Sequence, residues 1–338
     1  MKKNLKNKFL PTVSIVIATL NSERTLSLCL GRIRGQEYPF SKIEIIVADG
    51  GSEDTTRDTA KKFGAKVVSV NPNLQNAEYN KGVGLSHAKG DIVLFLDHDN
   101  IMPHDKWLEN LVVPFREHKE IVAVEPLRFH YDPKMTLLDR YFALFGGSDP
   151  VVYYLKKTSH LSWATEKYNL LGKAKDFGKY YLVNYSKKKF PALGGNGAAF
   201  RRKTLLQEAK ADPDNFIHPD VAADLIYKGH NSFGFIKDTI IHLTNNKLLP
   251  FLLRRKYFIE TYYLNKQKRR FLAYDPRYDL GSLIWYIVLS LTLVVPIYDS
   301  IKGFVKVRDF AWFIHPFMCL AFLFLYGEAV IAAKIKNV

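Results

Sequence analysis

The first hundred residues read as short apolar runs separated by segments of helical period. "VSIVIA", "IEIIVAD", "KVVSV", "DIVLFLD" and "IVAVEP" are rich in Val and Ile and bounded by polar turns, the pattern of strands buried on both faces. Between them, Thr25 to Arg34 places Leu26, Leu30 and Ile33 on one face of a helix. Strand and helix in alternation predict an α/β domain with a mostly parallel, Rossmann-like sheet. In such sheets ligands bind beyond the carboxyl ends of the strands, where Asp49, Asp97 and Asp99 fall.

The rhythm changes at about residue 126. Residues 126–192 are aromatic and lysine-rich and read as an insertion of unassigned internal order, a candidate contact for acceptor or membrane. After the glycine-rich "LGGNGAAFRRK", "HPDVAADLIYKG" predicts a helix and "FGFIKDTIIHL" a strand. Residues 246–278 mix apolar and basic positions at helical spacing. Lying in a headgroup plane, that segment would present Arg254, Arg255, Lys256, Lys268, Arg269 and Arg270 to anionic lipid; a solvated basic face is the plainer alternative. Residues 279–338 hold two long apolar runs, Leu280 to Tyr298 and Phe310 to Ala333, the second weakened by His315, Pro316 and Glu328. Both approach the ~20 residues that cross a bilayer as a helix, so a transmembrane hairpin is expected, with buried helices of a soluble fold as the alternative. The basic "NKQKRRF" before the first run favours a multi-pass protein of the cell membrane with its main domain, residues 1–245, in the cytoplasm. Lys302, Lys306 and Arg308 in the short connection argue against that orientation, and a re-entrant or interfacial hairpin would remove the conflict.

Composition narrows the choices. Across 338 residues, 49 Lys and Arg stand against 33 Asp and Glu, a formal net charge of +16, so an anionic partner is expected. The cations cluster beside the apolar runs and no nucleic-acid module is present, which favours membrane lipid over nucleic acid. Two cysteines, Cys29 and Cys319, allow neither a disulfide framework nor a zinc site. The amino terminus imitates a signal peptide, but Pro11 interrupts its apolar run and no cleavage pattern follows.

"VLFLDHDN" carries the candidate chemistry. On an extended strand Asp97 and Asp99 point the same way and His98 the other. Two converging carboxylates need a cation beside them, and few hard oxygen ligands suit Mg²⁺ or Mn²⁺ completed by substrate phosphates. A helix-capping role would explain one aspartate of the two. A dinucleotide-binding loop is excluded, because "SIVIATLNSERTL" lacks G-x-G-x-x-G.

"VSIVIATLNSERTL", "IEIIVADGGSEDTT", "NKGVGLSHAKGDIVLFLDHDN" and "GGNGAAFRRK", in this order, resemble the family 2 glycosyltransferases of the GT-A fold, with Asp97-His98-Asp99 as their DxD motif. The resemblance covers roughly residues 11 to 245; membrane-associated members also carry a basic amphipathic segment and C-terminal spans. It implies inverting transfer of a sugar from a nucleoside diphosphate sugar to a lipid-linked or cell-surface glycan acceptor. By position, Thr19, Asn21 and Glu23 would edge the nucleotide pocket, Asp49 would hold base or ribose, and Lys81 and Gly82 would lie near the nucleotide. Asp97 would reach ribose or metal-bound water, and Asp99, with His242, would complete the metal set; His242 is equally a structural histidine. Gly194, Gly195 and Asn196 would meet the acceptor. Asp220 occupies the place of the family's catalytic base, although Pro219 replaces the usual Glu before it, and Asp224 is the substitute. "LLRRKYF" resembles a remnant of the Q-x-x-R-W element, with Arg254 or Arg255 near the diphosphate. A polyprenyl-phosphate glycosyl synthase, which needs no strong base, and an inactive nucleotide-binding membrane scaffold stand as alternatives, and homo-oligomerisation is open.

Overall fold

A computed structural model describes residues 10–244, 247–259 and 269–336, with side chains to residue 332. The basic amino-terminal nine residues, the 245/246 boundary and Lys268 lie outside the described residues. The chain divides into two compact units: residues 1–126, 173–185 and 193–242 form the first, and 127–172, 186–192 and 243–338 the second.

In the first unit β1 (Val13–Thr19), α1 (Glu23–Arg34), β2 (Ile43–Asp49), α2 (Thr56–Lys62), β3 (Lys66–Ser69), α3 (Ala77–His87) and β4 (Ile92–Asp97) follow one another as the sequence pattern predicts. β1 lies between β2 and β4, with β3 outside β2, all parallel. Every residue of β1 is buried, as a central strand covered on both faces requires. α1 buries Leu26, Cys29, Leu30 and Ile33.

β5 (Asn100–Ile101), α4 (Trp107–Glu117) and β6 (Ile121–Phe129) come next. α5 (Leu137–Phe145) and α6 (Pro150–Tyr154) belong to the second unit, and the hairpin β7 (Lys173–Asp176) and β8 (Tyr180–Asn184) returns to the first. Part of the stretch 126–192 is thus an edge of the main sheet. β9 (Ala199–Arg201), α7 (Arg202–Glu208), α8 (His218–Tyr227) and β10 (Ser232–His242) complete this unit. The sheet order is β3-β2-β1-β4-β9-β6-β10-β8-β7, with β5 paired to the end of β10.

The sheet is therefore mixed, which corrects the mostly parallel expectation. β9 runs antiparallel to both β4 and β6, and β8 is antiparallel to β10 and β7. Only three residues long, β9 carries too little alternation to announce itself. The arrangement is a Rossmann-like α/β domain of mixed strand direction.

The second unit contains α9 (Leu248–Phe258), α10 (Pro276–Thr292), α11 (Val294–Lys306) and α12 (His315–Lys336). Its core gathers Tyr141, Phe142, Phe145, Trp312, Met318 and Phe322. Among the described residues, two clear spans forming the expected hairpin are not found: one segment, Phe310–Ala332, is long and apolar enough to cross a membrane, and α10 and α11 reach that length only together, bent by 82°. The break follows from Pro296: its ring cannot sit one turn after the Thr292 carbonyl in a continuous helix, so Leu293 turns into the left-handed region at φ 59°. Gly303 lets α11 lie directly on the Trp312 ring; a Cβ there would come within 2.4 Å of it.

Two of the six cations assigned to lipid are engaged inside this unit. Arg255 Nη2 lies 2.8 Å from Asp149 Oδ2 and Lys256 pairs with Glu328. Buried Lys157 pairs with Asp279, also wholly buried.

Candidate active site

All the carboxyl-end residues of the parallel block lie in the first unit. β1 and β2 end in register at Thr19 and Asp49, both buried, and Thr19 Oγ1 donates to Asp49 Oδ1 at 3.1 Å. The other Asp49 oxygen accepts from the backbone N–H groups of Gly51 and Ser52, and Ser52 Oγ donates to Oδ1 at 2.5 Å. The turn after β2 is thus wound around one buried carboxylate, whose four hydrogen bonds fix the loop at the strand ends. Asn21, in the left-handed region at φ 47°, receives Glu53 N–H on its side-chain oxygen. Exposed Glu23 accepts from Thr55 Oγ1 at 3.0 Å. Thr19, Asn21, Glu23 and Asp49 are brought together along one rim.

The DxD segment departs from the extended geometry expected of it. β4 ends at Asp97, His98 and Asp99 form a turn, and Asn100 begins β5. Strand alternation therefore does not set the aspartates' directions; their partners do. Asn100 Oδ1 accepts the Asp97 N–H at 3.1 Å, closing the turn, and His98 Nδ1 shares a 2.7 Å hydrogen bond with Thr25 Oγ1 of α1.

Lys81 reaches Asp97 Oδ1 at 2.8 Å and Glu78 Oε1 at 3.8 Å while only 3% exposed. Burial alone would lower the lysine pKa, but Asp97 and Glu78 outweigh it and hold the ammonium charged. Burial likewise pushes Asp97 up, and Lys81 more than reverses it, so this carboxyl titrates below its usual range. Asp97, expected among the metal ligands, thus has a cation of its own.

Asp99 faces a different group. Antiparallel pairing sets His242, the last residue of β10, opposite Asn100, and His242 Nε2 lies 3.7 Å from Asp99 Oδ2. Among the described residues no three His, Cys, Asp or Glu side chains converge on one point. One carboxylate and one imidazole, both part-exposed, fit a Mg²⁺ or Mn²⁺ ion that takes its other ligands from water and substrate phosphate.

The glycine-rich loop adjoins the DxD turn. Gly194 N–H donates to Glu125 Oε1 at 2.7 Å, and Asn196, at φ 43°, receives Asn100 Nδ2 at 3.4 Å. Glu125 is wholly buried, its second oxygen has no hydrogen-bond partner among the described residues, and burial raises its pKa to about 8. Gly82 has a packing reason for being glycine: a Cβ there would lie 2.7 Å from Pro213 Cα and 2.9 Å from Phe216 Cβ, so α3 supports the 213–216 loop directly. Asp220, in the first turn of α8, is 0% exposed; Asp224 accepts from Lys210 N–H at 2.9 Å.

Sequence reasoning missed three residues. Asn80 is buried and donates to Thr19 O at 3.4 Å, with its side-chain oxygen unpartnered. Glu78 and His218, 140 positions apart, form a 2.8 Å hydrogen bond. Only the "HP" before Asp220, at the place where the family pattern already departs, marked that spot.

A model of the family described as Glycosyl transferase family 2 matches residues 14–203, more than half of the chain. The chain belongs to this family. The glycosyltransferase is 34% identical over 104 residues to Glycosyltransferase AglE of Haloferax volcanii, an alignment covering 30% of this chain and 34% of the relative. It is 36% identical over 120 residues to Glucosyl-3-phosphoglycerate synthase of Mycobacterium tuberculosis, covering 34% and 37%. The match thus spans about a third of the length of these curated relatives. Among solved structures, Mannosyltransferase PcManGT from Pyrobaculum calidifontis in complex with GDP-Man and Mn²⁺ superposes with a TM-score of 0.53 at 15% identity, covering 95% of this chain and 88% of that one. That likeness establishes the shared fold.

Proposed function

We propose that this glycosyltransferase moves a sugar, with inversion, from a nucleoside diphosphate sugar to a lipid-linked or surface-glycan acceptor at a membrane, and that a divalent cation is required. The observation that carries the reading is the facing pair Asp99 and His242 at the carboxyl end of the sheet, beside an Asp97 already neutralised by Lys81. The rim of Thr19, Asn21, Glu23 and Asp49 would receive the nucleoside, with Asp49 reaching ribose or base only by exchanging one of its present hydrogen bonds. Asp99 and His242 would hold Mg²⁺ or Mn²⁺, which supplies charge neutralisation for the departing diphosphate. Gly194, Gly195 and Asn196 offer backbone and amide groups to the acceptor.

Support for membrane association comes from the second unit by itself. Leu291, Val294, Val305, Phe310 and Phe324 are each more than 60% exposed, an apolar surface far beyond scattered single residues. With one helix of spanning length and a pair bent by 82°, a shallow or re-entrant attachment suits the chain better than two crossings. A second reading, transfer to a polyprenyl phosphate, is favoured by the complete burial of Asp220, since a phosphate acceptor needs no base. The test is a panel of nucleoside diphosphate sugars offered to the purified full chain with lipid extract, with and without Mn²⁺. Consumption of one donor only in the presence of the cation is expected. Turnover of none, under conditions where the protein is folded, would contradict the reading and leave the inactive scaffold.

A further inference from the structure

The residue expected to act as base is sealed inside the fold, whereas a histidine two positions earlier is open. His218, the first residue of α8, has a side chain 27% exposed. Glu78, in the first turn of α3, holds it twice: Oε2 accepts the His218 backbone N–H and Oε1 lies 2.8 Å from Nδ1. His218 and Lys81 keep the Glu78 carboxyl ionised despite its burial. An ionised carboxylate can only accept, so Nδ1 carries the proton of this bond, and in the neutral ring Nε2 is left as the basic lone pair.

That Nε2 is turned toward the glycine loop. A Cβ on Gly195 would stand 3.1 Å from it, and one on Gly194 would meet the His218 carbonyl at 2.8 Å. The glycines are thus what allows the imidazole to stand against the loop. Contacts then close a ring: His218 to Glu78, Glu78 to Lys81, Lys81 to Asp97, Asn100 of the same turn to Asn196, and Asn196 through Gly195 back to the imidazole. The imidazole thus stands against Gly195, whose neighbour Asn196 is hydrogen-bonded to the DxD turn.

We propose that His218, oriented by Glu78, is the general base of the reaction, and that Asp220 is a structural residue of the first turn of α8. This rests on the glycosyl-transfer reading above and deepens it, because a base is needed only if the acceptor presents a hydroxyl. As the acceptor oxygen forms its bond to the anomeric carbon, its proton passes to Nε2; the bond from that carbon to the diphosphate oxygen breaks, and its electron pair leaves with the nucleoside diphosphate. The imidazolium is stabilised by the Glu78 carboxylate on Nδ1. Glu78 faces the ring directly and Lys81 stands behind Glu78.

The test compares His218→Gln, Glu78→Gln and Asp220→Asn in the full-length protein, with UDP and GDP in the presence of Mn²⁺ as binding probes and steady-state transfer with the donor found active. For His218→Gln, kcat should fall by roughly 10²- to 10⁴-fold, the share of a positioned base, with nucleotide affinity within threefold of wild type, and added imidazole should restore part of the rate to His218→Ala. Glu78→Gln keeps an acceptor for the His218 backbone N–H and should lower kcat by about tenfold or more while moving the acid limb of the pH–rate profile. Asp220→Asn should keep kcat within threefold. Full activity in a folded His218→Gln protein, or a loss confined to Asp220→Asn, would overturn the proposal and leave the transfer reading standing. A wild-type protein that transfers nothing would sink both.

Discussion

Glu125→Gln isolates the consequence of a carboxyl buried without a charge partner. Glu125 sits on β6, its Oε1 receiving Gly194 N–H and its Oε2 unpartnered. Burial raises its pKa from 4.5 to about 8, and the Gly194 N–H only partly opposes the shift. In the unfolded chain the group ionises near its ordinary value, so between those two limits the folded protein holds a proton that the unfolded chain has released. Stability from this group is full below pH 4.5 and is lost as pH rises through about 8. At ~1.4 kcal/mol for each pH unit the window costs on the order of 5 kcal/mol. Glutamine keeps an acceptor for Gly194 and cannot ionise; its extra N–H donors carry a penalty of about 1–3 kcal/mol that does not vary with pH. Denaturant unfolding in detergent at pH 5, 7 and 8.5 should show the variant less stable than wild type at pH 5 and gaining on it by several kcal/mol at pH 8.5. A difference between the two proteins constant to within ~0.5 kcal/mol across that range, no larger than the usual error of additivity, would refute the assignment of a buried, neutral acid.

Other substitutions read out the architecture of the site. Lys81→Met leaves Asp97 and Glu78 facing each other without their shared cation; breaking such a buried pair costs about 3–5 kcal/mol, seen as a fall in the unfolding midpoint, and an unchanged midpoint would mean that Lys81 is not holding the two acids. Gly82→Ala drives a methyl into the Pro213 backbone and should destabilise by about 1–3 kcal/mol, whereas a neutral result would show that the 213–216 loop gives way freely.

The parallel half of the fold was legible because β1, β2 and β4 are continuous runs of Val, Ile and Leu ending in polar turns, and their order alone places Thr19, Asp49 and Asp97 at one edge. Strand direction beyond β4 was not legible: β9 is three residues of a glycine-rich segment, and its antiparallel fit depends on partners far along the chain. The break at Leu293 was signalled by Pro296, yet a hydropathy run takes no account of a missing N–H or a ring clash. In the DxD turn, Asp99 lies two residues past the end of β4, where strand alternation no longer sets the direction of a side chain. The Glu78–His218 bond joins two helix first turns distant in sequence, which no local periodicity can reveal. Asp220, at the position where the family resemblance expects the base, is buried, while His218 two residues earlier is partly exposed.

The central claim is that Asp99 and His242 hold a divalent cation together with a nucleoside diphosphate. Calorimetric titration of UDP and GDP into the full-length protein, with Mn²⁺ and with EDTA, tests it most directly when repeated on Asp99→Asn. The account predicts nucleotide binding that strengthens at least tenfold with Mn²⁺ in wild type, about 1.4 kcal/mol, and loses that gain in the variant while its unfolding midpoint is unchanged. Binding indifferent to Mn²⁺ in wild type, or an undiminished Mn²⁺ effect in Asp99→Asn, would contradict it.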